Sequence, residues 1–202
     1  MKVVKKSLEN ASVVSRLIME GEIVCCPTDT LYGLLGSATN ERAVEKVYSI
    51  KGREREKPLI VLFKDLNQAQ ELGVLIDDNL REKLERVYPA PLTVILPLKE
   101  DSPFRKVFKR NNLGIRIPKD DFLLKVIELS TPLFAPSANP SGKEPAENCK
   151  ECRSYFEGRI PLCVEGKASG KPSTLVSLVG KEPKVLREGS FPKEKLLEVL
   201  NG

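Results

Sequence analysis

The chain reads as a single α/β domain over residues 1–202. Short apolar runs rich in Val, Ile and Leu alternate with amphipathic segments of helical period, and no repeat, low-complexity tract or linker interrupts them. A length of 202 residues suits one well-buried core and is short for two.

The elements follow in order. Residues 7–20 form an amphipathic pattern with Val13, Val14, Leu17 and Ile18 as its stripe and Gly21 as its stop, which predicts a helix. Residues 22–26 predict a short strand closed by Pro27. The following PTDTLYGL, at 27–34, sets two threonines, an aspartate and a tyrosine directly after that strand, where ligands gather in open α/β sheets; taken alone, it reads better as an Asp-centred turn bonding its own backbone. Residues 40–50 predict a helix capped by Asn40, with Val44, Val47 and Tyr48 on one face and Gly52 past its end.

Next comes the densest charge in the chain, Lys51, Arg53, Arg55 and Lys57, on a helix-to-strand loop ahead of the apolar run 58–63. If the loop is extended, Arg53, Arg55 and Lys57 share one side and make an anion clamp; the alternative is a solvated run favoured by the helix dipole. Residues 64–72 and 77–87 predict two short helices, 94–96 a strand, and 99–110 a solvated basic connection without chemistry. In 113–118 an arginine, Arg116, interrupts an apolar strand. Buried arginine needs an anionic partner, either a protein carboxylate or a ligand carboxylate matched to the guanidinium fork. A helix at 122–129 and a strand at 131–135 lead to the Pro136-Ser137-Ala138-Asn139 turn, whose backbone amides can cradle phosphate. Strands at 162–166, 174–178 and 184–189, with a polar loop at 166–173, and a terminal helix at 193–200 complete the chain.

Composition excludes several classes. With no histidine, a Ser-His-Asp triad, a Cys-His pair and His-ligated metals are ruled out within the chain. The net charge of +5, from 33 basic and 28 acidic residues, mildly favours an anionic ligand and does not by itself indicate nucleic acid. No apolar run spans a bilayer and the N-terminus lacks a secretory core, so a cytoplasmic protein without membrane association is expected. Five cysteines, an odd number, argue against a secreted disulfide framework. Cys149 and Cys152 have the spacing of half a zinc site, with no second pair and no histidine to complete it, while Cys25 and Cys26 point to opposite faces of a strand; structural cysteines and no protein-ligated metal are expected.

Taken together, PTDTLYGL at 27–34, KGREREKPL at 51–59, PAPLT at 89–93, GIRIP at 114–118, APSANPSG at 135–142, STLVSL at 173–178 and LREGS at 186–190 resemble the YrdC-like threonylcarbamoyl-adenylate synthase family, in order and over nearly the whole chain. The resemblance implies a twisted, mixed parallel and antiparallel sheet flanked by helices, with a basic concave cleft. It implies a nucleotidyltransferase that makes threonylcarbamoyl-AMP and pyrophosphate from L-threonine, bicarbonate and ATP, with Mg2+ accompanying the ATP. The product serves modification of adenosine 37 in tRNA, so tRNA and the downstream threonylcarbamoyl-transferase proteins are further partners. By the same resemblance Lys51, Arg53, Lys57, Ser137, Asn139 and Arg187 fall on the ATP side, Lys51 and Arg53 being catalytic, and Thr30, Arg116 and Ser173 on the threonine side. Arg55 stays a surface residue. Ala90 departs from the family's usual Gly, and Leu62 stands where some members have a histidine. An RNA-binding module using the same cleft and a paralogue adenylating another substrate are the alternatives.

Overall fold

The computed structural model describes the backbone of residues 1–202 and every side chain except that of residue 201. Its strands are β1 (Lys2–Lys5), β2 (Val24–Pro27), β3 (Tyr32–Ser37), β4 (Ile60–Leu62), β5 (Leu92–Pro97), β6 (Asn112–Arg116), β7 (Leu133–Phe134), β8 (Leu162–Glu165), β9 (Thr174–Ser177) and β10 (Lys184–Arg187). They form one mixed sheet in the order β1-β8-β2-β3-β7-β4-β6-β5-β9-β10. The β1–β8, β8–β2, β4–β6 and β5–β9 pairs are parallel and the remainder antiparallel. The helices are α1 (Ala11–Met19), α2 (Glu41–Lys51), α3 (Leu66–Glu71), α4 (Asp78–Glu85), α5 (Pro103–Phe108), α6 (Asp121–Leu129), α7 (Cys149–Phe156) and α8 (Lys193–Asn201). Among the described residues no helix is long and apolar enough to cross a membrane.

Side-chain alternation divides the core in two. On one face Cys25, Leu34, Val61, Phe134 and Cys163 join the buried faces of α2, α4, α5, α7 and α8. On the other, Val24, Cys26, Leu35, Leu62, Leu133, Leu162 and Val164 pack under α1 and α6. Strands buried on both faces read as continuous apolar runs, which is how β4 and β8 were recognisable. At the β6-β5 end the alternation changes character. Leu92, Val94, Leu96, Leu113 and Ile115 still enter the large core, but their neighbours Thr93, Gly114 and Arg116 face the opposite way, and the smaller apolar cluster stops short of them. That uncovered stretch of sheet is where the cleft lies.

Several elements depart from the sequence reading. Residues 99–110 are not a solvated excursion: α5 begins at Pro103 and buries Phe104, Val107 and Phe108, with Phe104 edge-on to Phe63 at 5.6 Å between centroids. Strand β3 was hidden in the turn-like PTDTLYGL run, because Gly33 and Gly36 break the apolar pattern. Gly36 is required there, since a Cβ would overlap the Phe134 ring. Strand β1 and helix α7 were not anticipated either. The terminal helix extends to Asn201, and the predicted 7–20 helix is a 3₁₀ turn at Leu8–Asn10 followed by α1. The cysteines also need correcting. Cys25 pairs with Cys152 and Cys149 with Cys163 in two disulfides, so a second pair does exist for Cys149 and Cys152; it comes from β2 and β8, distant in sequence.

Candidate active site

The β2–β3 connection is built by its own hydroxyls. Thr28 Oγ1 donates to the Leu31 carbonyl at 2.8 Å and accepts the Thr30 amide at 3.0 Å, closing a tight turn. The turn reading of this segment is therefore correct, and the same turn directs Thr30 and Asp29 at Arg116. Arg116 Nη1 donates to Thr30 Oγ1 at 3.1 Å, and Nη2 lies 3.3 Å from Asp29 Oδ1. Asp29 Oδ2 accepts the Lys119 amide at 3.2 Å. Arg116 is only 4% exposed. Burial pushes its pKa down while the Asp29 carboxylate opposes the shift, and a guanidinium remains charged throughout the physiological range. Its Nε is buried with no hydrogen-bond partner among the described residues. Arg116 lines the cavity as a residue, but its Nε has almost no accessible surface.

The second wall is the loop after β7. Ala138 donates to the Tyr32 carbonyl at 2.7 Å and Leu34 to the Pro136 carbonyl at 2.8 Å, with Gly33 bridging Ser137, so the loop rides on β3. Lys51 fastens it from below. Its ammonium donates to the carbonyls of Ser137 and, at 2.6 Å, Asn139, and its own carbonyl accepts the Ser141 amide. Lys51 is the last residue of α2, 2% exposed, with Gly52 in the left-handed region behind it. It does not stand on the open loop expected of it. Burial, helped by the charge of Arg53, pushes its pKa down to about 7. Asn139 uses its amide nitrogen on the carbonyls of Pro140 and Lys143, leaving Oδ1 buried with no partner among the described residues.

The cationic loop is not extended, and its clamp does not form. Left-handed Gly52 and a turn in which Lys57 donates to the Glu54 carbonyl at 3.2 Å destroy the two-residue alternation on which the clamp depended. Arg53 folds inward, donating to the Lys57 and Pro58 carbonyls at 3.2 and 3.0 Å, and lines the cavity. Arg55 pairs with Glu45 and lies 5.4 Å from the Tyr48 ring centroid. Lys57 stays at the surface, 3.6 Å from Glu54.

The third wall comes from the far end of the sheet. Arg187 of β10 donates through Nε and Nη2 to the Ser173 carbonyl at 3.1 and 2.9 Å, and through Nη2 to Ser173 Oγ at 3.1 Å. Ser173 Oγ lies 2.8 Å from Thr93 Oγ1 of β5, a pair buried from solvent. The 166–173 loop is held to the threonine turn by the Gly170 amide and Ser169 hydroxyl, both donating to the Thr30 carbonyl.

Six of the nine predicted residues, Thr30, Arg53, Arg116, Ser137, Ser173 and Arg187, line one cavity of about 120 Å³. The cavity is partly open to solvent. Lys51, Lys57 and Asn139 stand outside the wall. Sequence reasoning assigned no role to Thr93, although a threonine between Leu92 and Val94 in a buried strand was a visible signal. Asp29 is read in the sequence only as the centre of a turn, and its pairing with Arg116 realises the protein-carboxylate alternative.

Sheet order and cavity together define an α/β protein with a mixed open sheet and three arginines, Arg53, Arg116 and Arg187, at one cavity. The Sua5_yciO_yrdC family model, described as "Telomere recombination", matches residues 16–189, and the chain belongs to that family. It is 34% identical over 191 residues to the threonylcarbamoyl-AMP synthase of Pyrococcus abyssi, covering 93% of this chain and 56% of that one. It is 36% identical over 194 residues to a putative threonylcarbamoyl-AMP synthase of Methanocaldococcus jannaschii, covering 95% and 90%. The crystal structure of P. abyssi Sua5 complexed with L-threonine superposes with a TM-score of 0.88 at 32% identity, over 98% of this chain and 59% of that one. The chain thus spans little more than half the length of the P. abyssi relative.

Proposed function

We propose that the protein is an L-threonylcarbamoyladenylate synthase, joining L-threonine, bicarbonate and ATP into threonylcarbamoyl-AMP and pyrophosphate. The observation that carries this is Arg116, a buried guanidinium that donates to the Thr30 hydroxyl and lines a cavity with two further arginines, Arg53 and Arg187. A carboxylate is the natural acceptor for such a group. Family membership and a solved relative holding L-threonine support threonine as its owner.

In this reading Arg116, Thr30 and Ser173 hold threonine. The amine attacks the bicarbonate carbon, water leaves, and a carbamate forms. A carbamate oxygen then attacks the α-phosphorus of ATP, and the bond to the β-phosphate oxygen breaks with release of pyrophosphate. Arg53, Arg187 and the 137–139 loop face the nucleotide, and Arg53 stabilises charge building on the phosphates. Lys51 adds positive charge from beneath that loop and fixes its shape, while Lys57 approaches the nucleotide only after leaving Glu54. Mg2+ would accompany ATP as part of the substrate and offset the charge of its phosphates. Asp29, the carboxylate on the cavity turn, faces the Arg116 guanidinium at 3.3 Å and accepts the Lys119 amide, and no step is assigned through a protein-held ion. The adenylate would be used in the cytoplasm for threonylcarbamoylation of tRNA adenosine 37 by separate transferase proteins.

The test is direct. Purified protein with ATP, labelled bicarbonate and threonine should release pyrophosphate and a labelled adenylate, and serine in place of threonine should give far less. A threonine-independent product, or none, overturns the assignment. Steeply salt-dependent tRNA binding without ATP or threonine affinity would instead make the cleft an RNA surface.

A further inference from the structure

Four of the five cysteines meet at one point in the large core, away from the cleft floor. Cys149 and Cys152 stand about one turn apart on α7, while Cys25 of β2 lies directly opposite Cys163 of β8 in the parallel register. The sulfurs of Cys25, Cys152 and Cys163 all lie within 4.8 Å of one another, and Cys149 is bonded to Cys163. All four side chains are buried. Two independent disulfides require only that each sulfur meet one other. Three sulfurs from three elements sharing one locus, with the fourth attached, is the arrangement a single centre requires. Cys26, on the opposite face, takes no part.

We propose that in the reduced chain Cys25, Cys149, Cys152 and Cys163 hold one soft divalent cation of the zinc class as a closed tetrathiolate site. Thiolates select such ions, and four protein ligands leave no open position, so the site is structural rather than catalytic. The N-terminal end of α7 favours thiolate at Cys149, its first residue. The sulfurs give up their protons to solvent as the metal enters, which makes affinity fall with falling pH. The cation would pin both sides of the cleft from behind, because Cys25 lies on the strand leading into the Thr28 turn and α7 follows the loop that carries Ser137.

The test uses the full chain reduced anaerobically with a phosphine and then freed of it. Zn2+ titrated against a chromophoric chelator should bind one equivalent, and Co2+ should give intense thiolate-to-metal absorption with the visible bands of a tetrahedral ion. The Cys26→Ser variant should match the wild type, and the Cys149→Ser/Cys152→Ser variant should bind at least about 10-fold more weakly. Reduced wild-type protein that takes up no metal, a cobalt spectrum without thiolate absorption, or a double variant that binds equally well each overturns the proposal. The wild-type cobalt spectrum decides the matter even if the double variant fails to fold.

Discussion

Arg116 and Arg53 both present a guanidinium to the same cavity, and they are held in opposite ways. Arg116 projects from the end of a core strand, is buried against Asp29 and Thr30, and has lost nearly all contact with water. Arg53 sits on a loop just past a helix, bonds two backbone carbonyls among the described residues, and stays partly exposed. A charge within a β-run must be paired by the fold itself. A charge on a turn can be left for a ligand. The first residue therefore couples stability to binding, whereas the second separates them.

Replacing Arg116 should produce the largest effect. Arg116→Ala leaves the Asp29 carboxylate buried without its counter-charge, a loss of about 3–5 kcal/mol in urea unfolding. Threonine binding should vanish in calorimetry, but instability alone could account for that. Arg116→Met with Asp29→Asn removes both charges and should recover most of the stability while threonine still fails to bind. A stable double variant that binds threonine normally would show that the guanidinium is not the carboxylate anchor.

Arg53→Ala tests the other half of the contrast. Two backbone hydrogen bonds on a half-exposed loop should cost no more than about 1 kcal/mol. Adenylate synthesis should fall about 10²–10³-fold if the group stabilises phosphate charge. Loss of cooperative melting would make Arg53 a structural residue like Arg116 and collapse the distinction.

Lys51 stands between the two cases. Its folded pKa of about 7 lies below its ordinary 10.5, so between those values the unfolded chain binds more protons. Its linkage therefore makes stability rise with pH from about 7 to 10.5, with nothing gained below 7. Phosphate charge nearby favours the protonated amine, so ATP binding should take up a proton above pH 7 and weaken as pH rises. Calorimetry in two buffers of different ionisation enthalpy reads this directly, and the absence of histidine leaves few other groups to confuse it. A buffer-independent enthalpy would mean that Lys51 does not sense the nucleotide, and Lys51→Met should abolish the effect.

Arg116 was legible in the sequence for a physical reason: an ionised group in an apolar strand must be buried and paired, whatever the topology. Its partner was not legible, because the β2–β3 turn reaches Arg116 only through the pairing of β3 with β7, β7 with β4 and β4 with β6. Segments with strong periodicity, such as α1 and α6, were readable. Strand β3 was masked by two glycines, of which Gly36 serves the Phe134 contact, and α5 by charges on its outer face. The predicted helix stopped at residue 50, one short, so Lys51 was assigned to the loop although Gly52 closes the last turn where expected. The clamp failed because a single turn at 54–57 cancels the alternation that put Arg53, Arg55 and Lys57 on one side.

Lys57 supplies the smallest expected effect and the finest test of this difference between turn and strand. Its ion pair with Glu54 spans 3.6 Å between side chains that are 60% and 73% exposed, a geometry in which water screens most of the attraction. Lys57→Ala should leave the urea midpoint almost unchanged. Because the amine faces solvent rather than the cavity, the substitution should raise KM for ATP a few-fold and leave kcat intact, and the rise should fade at high salt. Arg55→Ala, which loses the Glu45 pair and the Tyr48 ring, should change neither parameter. If Lys57→Ala instead lowers kcat as severely as Arg53→Ala, the 53–57 turn must close over the bound nucleotide. Arg53 and Lys57 would then act together on the phosphates, as the extended-loop pattern had suggested for the free chain.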